Sequence, residues 1–294
     1  MGRLLPMEIR YFESLICVAE YGSIARAARK QNLTAAAVGQ RIALLESHFD
    51  IALLDRRARS AVPTEACSQL LPLARHIVSS FHEMGAVLEP SGLSGKYSLG
   101  VIPTALTGIL PVTIRRLAKL APKLVLEIKP GTSETLFTEL SDGKLDAVII
   151  ALPPFDLPDR FVVDVIREEP LVLLSKKSAG NSPREILENN PYICFDPRSW
   201  AGNGAVSYLK EEGIQIEPFY ELDALEPIEK LVVEGMGVSL VPQWPDLKLN
   251  SRRLNCHVIK DRRYKRKMAM VTKDDSTRPQ VLEVLRDSLK STQR

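Results

Sequence analysis

"SIARAARKQNLTAAAVGQRIALLE", residues 23–46, spells two helices joined by almost nothing. Val38, Ile42, Leu45 and Phe49 recur at i, i+4, i+7 and i+11, the period of a helix that buries one seam. The other side carries Ala36, Gln40, Ala43 and Ser47, with Ala35 and Gly39 on one flank. Exposed helix faces are normally charged, so so small a face needs a reason. Before it, "QNLT" (31–34) makes the tight turn: Asn32 tolerates unusual backbone angles, Leu33 plugs the core and Thr34 caps the next helix. The short helix from Ile24 to Gln31 buries Ile24, Ala27 and Ala28. Ser23 stands at its N-cap, and Gly22 ends a preceding helix from Glu8 to Glu20.

A helix that enters a major groove keeps bulk off its leading face, because its first turns reach the base edges. Alanine methyls suit thymine methyls there and the Gln40 amide suits adenine, while Arg26, Arg29 and Lys30 on the neighbouring helix can meet phosphates. The plainer alternative is a hairpin in an all-α bundle, with alanines present for helix propensity. The next stretch, "FDIALLDRRARSAVPTEA" (49–66), favours the groove. Arg56, Arg57 and Arg59 before "SAVPT" describe a short ribbon tipped with arginines, the wing of a winged helix-turn-helix. Such arginines contact phosphates or enter a narrow minor groove.

These residues carry a family resemblance. "YFESLICVAEYGSIARAARKQNLT" (11–34), "RIALLE" (41–46) and "LLDRRARSAVPTEA" (53–66) resemble the DNA-binding domain of LysR-type transcriptional regulators. Ser23, Ala27, Ala28, Leu33, Ile42, Leu45, Glu46, Arg56, Arg59, Thr64 and Ala66 stand where the family pattern has them. The departures are Ala35 for a usual glutamine, Ala36 for a proline or similar residue, Gly39 for a serine, Ala52 for the glycine before "LL", and Cys67 for the glycine closing the wing. Truncated base-reading side chains shift the expected weight towards shape readout. The resemblance implies double-stranded DNA as a partner, through Ser23, Arg26, Arg29, Lys30, Thr34, Ala35, Ala36, Gly39, Gln40, Arg56, Arg57 and Arg59.

From Thr64 to Glu89 one long helix is expected. Leu70, Ala74, Ile77, Phe81, Met84 and Leu88 alternate at spacings of four and three, a coiled-coil seam, although Pro72 removes a backbone donor near its start. In the family this segment is the linker helix that dimerises, so a dimer or tetramer is expected. "EPSGLSG" (89–95) has the composition of a hinge.

Beyond Lys96 strands alternate with helices. "YSLGVI", "LVLEIKPG" and "DAVIIAL" read as strands of a parallel sheet covered on both faces. "PLVLLS", "YICFD", "FYELD" and "GVSLVPQ" make a second set, and "MAMVTK" with the terminal helix "PQVLEVLRDSLK" returns to the first. The expected fold is therefore an all-α winged helix-turn-helix domain (7–64), a linker helix and hinge (65–94), and a two-lobed α/β effector domain (95–294). Lobe I spans about 95–166 plus 268–294 and lobe II about 167–267. By the resemblance this domain is like periplasmic binding proteins and takes a small metabolite, often an anion, in the cleft between its lobes.

Thr104, Thr132, Ser133, Phe195, Arg198, Ser199, Asn203, Asp223 and Glu226 fall at strand ends or helix starts facing such a cleft. Hydroxyls and free amides at helix starts favour a carboxylate or phosphate, with Arg198 as counter-charge. Asp223 and Glu226 favour a cationic or amine-bearing ligand instead, so the ligand charge stays open here. "SRRLNCHVIKDRRYKRK" (251–267) places Arg252, Arg253, Lys260, Arg262, Arg263, Lys265, Arg266 and Lys267 close together. They serve either as charged strand edges or as a further contact with DNA or an acidic partner.

The 294 residues, 45% hydrophobic and 26% charged, suit two or three globular units, and a net charge of +3 leaves the partner to local patterning. The four cysteines are scattered, which argues against a disulfide framework or a structural zinc site. No apolar signal core or membrane span is visible, so a cytoplasmic protein is expected. Phosphate-loop, dinucleotide-binding, zinc-protease and nucleophile-elbow motifs are absent, so neither an enzyme nor a cofactor is expected. Two variants stay open: a thiol-based sensor using Cys194 or Cys256, and a ligand-binding module with weakened DNA recognition.

Overall fold

The computed structural model describes residues 7–55, 61–87, 91–176, 179–180, 182–247 and 254–290. One compact unit ends at Gly95 and a second begins at Lys96, with residues 141–144 grouping with the first.

The first unit opens with α1 (Ile9–Tyr21), α2 (Ile24–Lys30) and α3 (Ala35–Phe49). Gly22, at φ 63°, closes α1 by donating its N–H to the Val18 carbonyl at 2.9 Å. Thr34 starts α3, its hydroxyl accepting from the Ala37 N–H at 3.1 Å. Asp50 ends it in the left-handed region at φ 52°, where a short polar side chain is tolerated. Phe12, Leu15, Val18, Ala27, Ala28, Val38, Ile42 and Leu45 form one core, and the two alanines let α2 sit close to its neighbours. Phe49 departs from the expected seam. It is 42% exposed, with its ring T-shaped against His48, because the chain turns away at Asp50.

A short antiparallel ribbon follows, β1 (Leu54–Asp55) with β2 (Val62–Pro63). Its base is tied to α3 by Glu46, whose carboxylate accepts from the N–H groups of Leu53 and Leu54 at 2.9 and 3.2 Å. The Arg56, Arg57 and Arg59 of the expected wing tip lie outside the described residues.

Helix α4 (Glu65–Val87) is capped by Thr64, whose hydroxyl accepts from the Cys67 N–H at 3.1 Å. Its first half lies on α1, where Arg75 pairs with Glu20 at 3.0 Å. Ala74 is fully buried and Leu70 half-buried in this core, so both pack within their own protomer rather than in a dimer seam. The exposed apolar stripe is Leu73, Ile77, Phe81 and Met84, between 39% and 58% accessible. Leu88, expected to extend it, lies outside the described residues.

The second unit contains β3 (Ser94–Val101), α5 (Pro103–Gly108), α6 (Leu110–Leu120), β4 (Lys123–Pro130), α7 (Ser133–Ser141), β5 (Ala147–Ala151) and β6 (Phe161–Glu169). Lobe II follows with β7 (Leu171–Lys176), α8 (Pro183–Asn189), β8 (Tyr192–Phe195), α9 (Asn203–Glu211), β9 (Pro218–Leu222), α10 (Leu225–Glu234), β10 (Ser239–Pro242) and β11 (Leu254–Val258). The chain then returns through β12 (Arg266–Lys273) and α11 (Pro279–Lys290).

The lobe I sheet has the order β4-β3-β5-β12-β6 and is mixed rather than wholly parallel. β3 and β5 run parallel, whereas the returning β12 wedges antiparallel between β5 and β6 because it enters from the lobe II end. β6 is a strand absent from the sequence expectation. In lobe II, β7 lies between β10 and β11, antiparallel to both. Its alternating side chains feed two cores: Leu171 and Leu173 join Tyr192 and Cys194 on one face, and Val172 and Leu174 join Ile193, Phe195 and Trp244 on the other.

Candidate nucleic-acid interface and effector cavity

The bare side of α3 is exposed. Ala35, Ala36, Gln40, Ala43 and Ser47 all face solvent, while Val38, Ile42 and Leu45 are sealed beneath them. Gly39 is half-buried, and a methyl added there meets nothing within 4 Å. Arg26, Arg29 and Lys30 are exposed on α2 and have no carboxylate partner among the described residues. Arg41 instead turns inward, donating to the Ser14 hydroxyl at 3.0 Å. Ser23 occupies the α2 N-cap position but makes no capping bond with its side chain, which leaves the hydroxyl available. The surface thus pairs a groove-sized row of small side chains with three uncommitted cations. Because the Gly39 site is open, Gly39→Ala raises the stability of this unit by about 1 kcal/mol on helix propensity alone, read from its thermal transition.

In the second unit, a cavity of about 390 Å³ opens where the lobes meet. Thr104, Thr132, Ser133, Phe195, Ser199, Asp223 and Glu226 line it, as expected. Several of the hydroxyls already have local duties. Thr132 caps α7 by accepting from the Thr135 N–H at 3.3 Å, Ser133 accepts from the Ala151 N–H at 3.1 Å, and Ser199 closes its own turn onto Asp196 at 2.8 Å. Asn203 does not line this cavity. It lines a second one of about 310 Å³, bordered also by Trp200, Ser207 and Lys267.

Arg198 is a correction. Its side chain is 84% exposed and held outside the cavity by Glu221 at 3.1 Å and Asp196 at 3.7 Å. The guanidinium that does line the cavity is Arg266, taken from the sequence as part of a basic surface run. It is 7% exposed, and its Nε donates to the Glu169 carboxylate at 2.6 Å. A second nitrogen donates to the Thr104 hydroxyl at 3.3 Å, so one residue on β12 ties together β6 and α5. Arg167 approaches the other Glu169 oxygen at 3.4 Å. The signal was present in "RKMAM": Arg266 shares the inward phase of Met268 and Met270.

Two further cations of the basic run are spent within the protein. Arg263 pairs with Asp261 at 2.7 Å and Glu211 at 2.6 Å, and Lys265 with Glu168 at 2.8 Å. Lys260 and Lys267 are exposed; Arg252 and Arg253, and the Arg262 side chain, lie outside what is described. Sequence reasoning also missed Glu134 and Asp196, two more carboxylates on the cavity wall. Glu134 accepts from the Trp200 N–H at 2.5 Å, a direct bond from lobe I to lobe II.

Burial pushes every thiol up: Cys67 and Cys256 to about 11, with Cys17 and Cys194 raised in the same direction. Among the described residues no group of His, Cys, Asp or Glu could hold a metal ion, and no helix is long and apolar enough to cross a membrane.

Comparison with known proteins adds independent findings. Residues 9–68 match the model for the bacterial regulatory helix-turn-helix protein of the lysR family, and residues 90–294 match the LysR substrate binding domain. The DNA-binding transcriptional dual regulator OxyR of Escherichia coli (strain K12) is 26% identical over 243 residues, covering 80% of this chain and 79% of its own. The HTH-type transcriptional regulator CzcR of Bacillus cereus (strain ZK / E33L) is 27% identical over 259 residues, covering 87% and 88%. Among solved structures, a full-length OxyR variant from Pseudomonas aeruginosa superposes with a TM-score of 0.74 at 19% identity, covering 97% of this chain and 95% of the other. CbnR complexed with its target DNA gives 0.65 at 18% identity, covering 97% and 100%.

Proposed function

Because the chain belongs to the LysR family of DNA-binding transcriptional regulators, with a helix-turn-helix domain followed by an effector-binding domain, we propose how its residues divide that work. Helix α3 presents Ala35, Ala36, Gly39 and Gln40 to base edges, with Thr34 and Ser23 at the helix starts. Arg26, Arg29 and Lys30, with the wing arginines Arg56, Arg57 and Arg59, neutralise phosphates. The observation that carries this reading is the uncommitted cation trio beside an exposed small-residue face. The stripe Leu73, Ile77, Phe81 and Met84 pairs subunits, and the protein works in the cytoplasm. A small molecule in the 390 Å³ cavity biases the lobe arrangement, and through it how two subunits sit on adjacent half-sites.

Footprinting on the chain's own promoter region tests the DNA part. Arg29→Gln should weaken binding on every sequence and lower the salt slope by about one. An unchanged slope would remove Arg29 from the interface, and no footprint for the wild type would favour a module without DNA recognition.

The thiol-sensing variant finds little support in the chemistry of these sites. A reactive cysteine needs a thiolate, whereas burial holds Cys256 near 11 and pushes Cys194 up in the same direction, so both stay protonated at neutral pH. Peroxide at concentrations that oxidise a free thiol within minutes should leave Cys194 and Cys256 unmodified by mass spectrometry. Rapid sulfenic acid formation at either would reverse the preference.

A further inference from the structure

The charges lining the effector cavity are sorted. Lobe II supplies Asp196, Asp223 and Glu226, and lobe I adds Glu134. The only lining cation among the described residues, Arg266, is already held by the buried Glu169 carboxylate, so that pair is close to neutral. Asp196 is partly answered by Arg198 and Glu134 by the Trp200 N–H. Asp223 and Glu226 have no ion-pair partner among the described residues, although both face the cavity at the start of α10. Most of the remaining wall is apolar and includes the buried Ile102, Phe195 and Leu225.

A carboxylate placed here would meet like charge with no free guanidinium to receive it. A cation would meet two carboxylates without an ion-pair partner among the described residues, Asp223 exposed and Glu226 half-buried, beside an apolar wall that can take its hydrocarbon body. Resting on the effector reading above, we propose that this cavity selects small organic ammonium ions, an apolar alkyl or aryl body with a protonated amine, and that Asp223 and Glu226 receive the amine. The cavity volume suits a molecule of that size.

The test uses the full chain without DNA and two nearly isosteric probes, phenethylammonium and 3-phenylpropionate, by isothermal titration and ligand-observed NMR. Phenethylammonium should bind at least about tenfold more tightly than the carboxylate. In D223N/E226Q, checked for an unchanged thermal transition, the amine should lose at least about tenfold and the carboxylate should not weaken. Equal or tighter carboxylate binding, no amine binding at millimolar concentration, or undiminished amine binding in the double variant would each overturn the proposal. The effector reading is tested separately by footprinting with the amine present. If the amine binds through these residues but leaves footprint and transcription unchanged, charge selection stands and the effector role falls. If an anion competes for the cavity and alters the footprint, the effector role stands and charge selection falls.

Discussion

Arg266→Met should lower the stability of the effector unit by about 3–5 kcal/mol, a fall of about 6–20 °C in its thermal transition. The size follows from what the substitution leaves behind. Glu169 is fully buried, and Arg266 supplies its short hydrogen bond from Nε as well as the compensating charge. Arg167 is 3.4 Å from the other carboxylate oxygen and makes no hydrogen bond through its Nε, so it is poorly placed to take over. Removing one member of a buried pair leaves an uncompensated charge, whereas removing both leaves a packing problem only. Arg266→Met combined with Glu169→Leu should therefore recover most of the loss. Calorimetry of the full chain separates the outcomes: a single variant as stable as wild type would mean the pair is not isolated from water.

Ala36→Glu should weaken promoter binding by about 2–4 kcal/mol, or about 30- to 1000-fold. A carboxylate at this point of α3 is brought against phosphates and base acceptors that carry the same sign. Unfolding offers no alternative explanation, because residue 36 lies in the first turn of α3, where a negative charge complements the helix dipole and stabilises by about 0.3–1 kcal/mol. The variant should thus melt no lower than wild type while losing its footprint. Fluorescence anisotropy with a promoter fragment reads the loss, and wild-type affinity would place this face of α3 away from DNA.

The helices of the first unit were legible because their signals are local. Gly22 and Thr34 sit at their caps, and Val38, Ile42 and Leu45 keep one phase. The failures come where a residue's partner is distant in sequence. Phe49 keeps the helical phase, but the Asp50 turn leaves it uncovered. Ala74 fits a heptad, yet α1 lies against that part of α4 and takes it into the protomer core. β6 escaped notice because Val162, Val163 and Val165 face outward at the sheet edge and its end is charged, which hides the strand period.

The cavity was partly legible for the same reason. Strand-end hydroxyls and the Asp223–Glu226 pair fall at helix starts that the chain pattern marks, and seven of the expected residues line the wall. The buried partner of Arg266 lies 97 positions away, so its burial could only be inferred from the alternation with Met268 and Met270. Arg198 has the right neighbours in sequence, but its side chain points to Glu221.

The bond between Trp200 and Glu134 gives the protein an optical gauge. The chain has two tryptophans, and Trp244 is almost fully buried in the lobe II core, so its emission should stay constant. Trp200 lies 5.7 Å from both Phe137, in a tilted contact, and Phe155, in an edge-on one, and lines the second cavity. Parting of the lobes would pull its indole out of that aromatic nest into water, reddening its fluorescence, so a Trp244→Phe protein would report closure and release in real time without any attached dye.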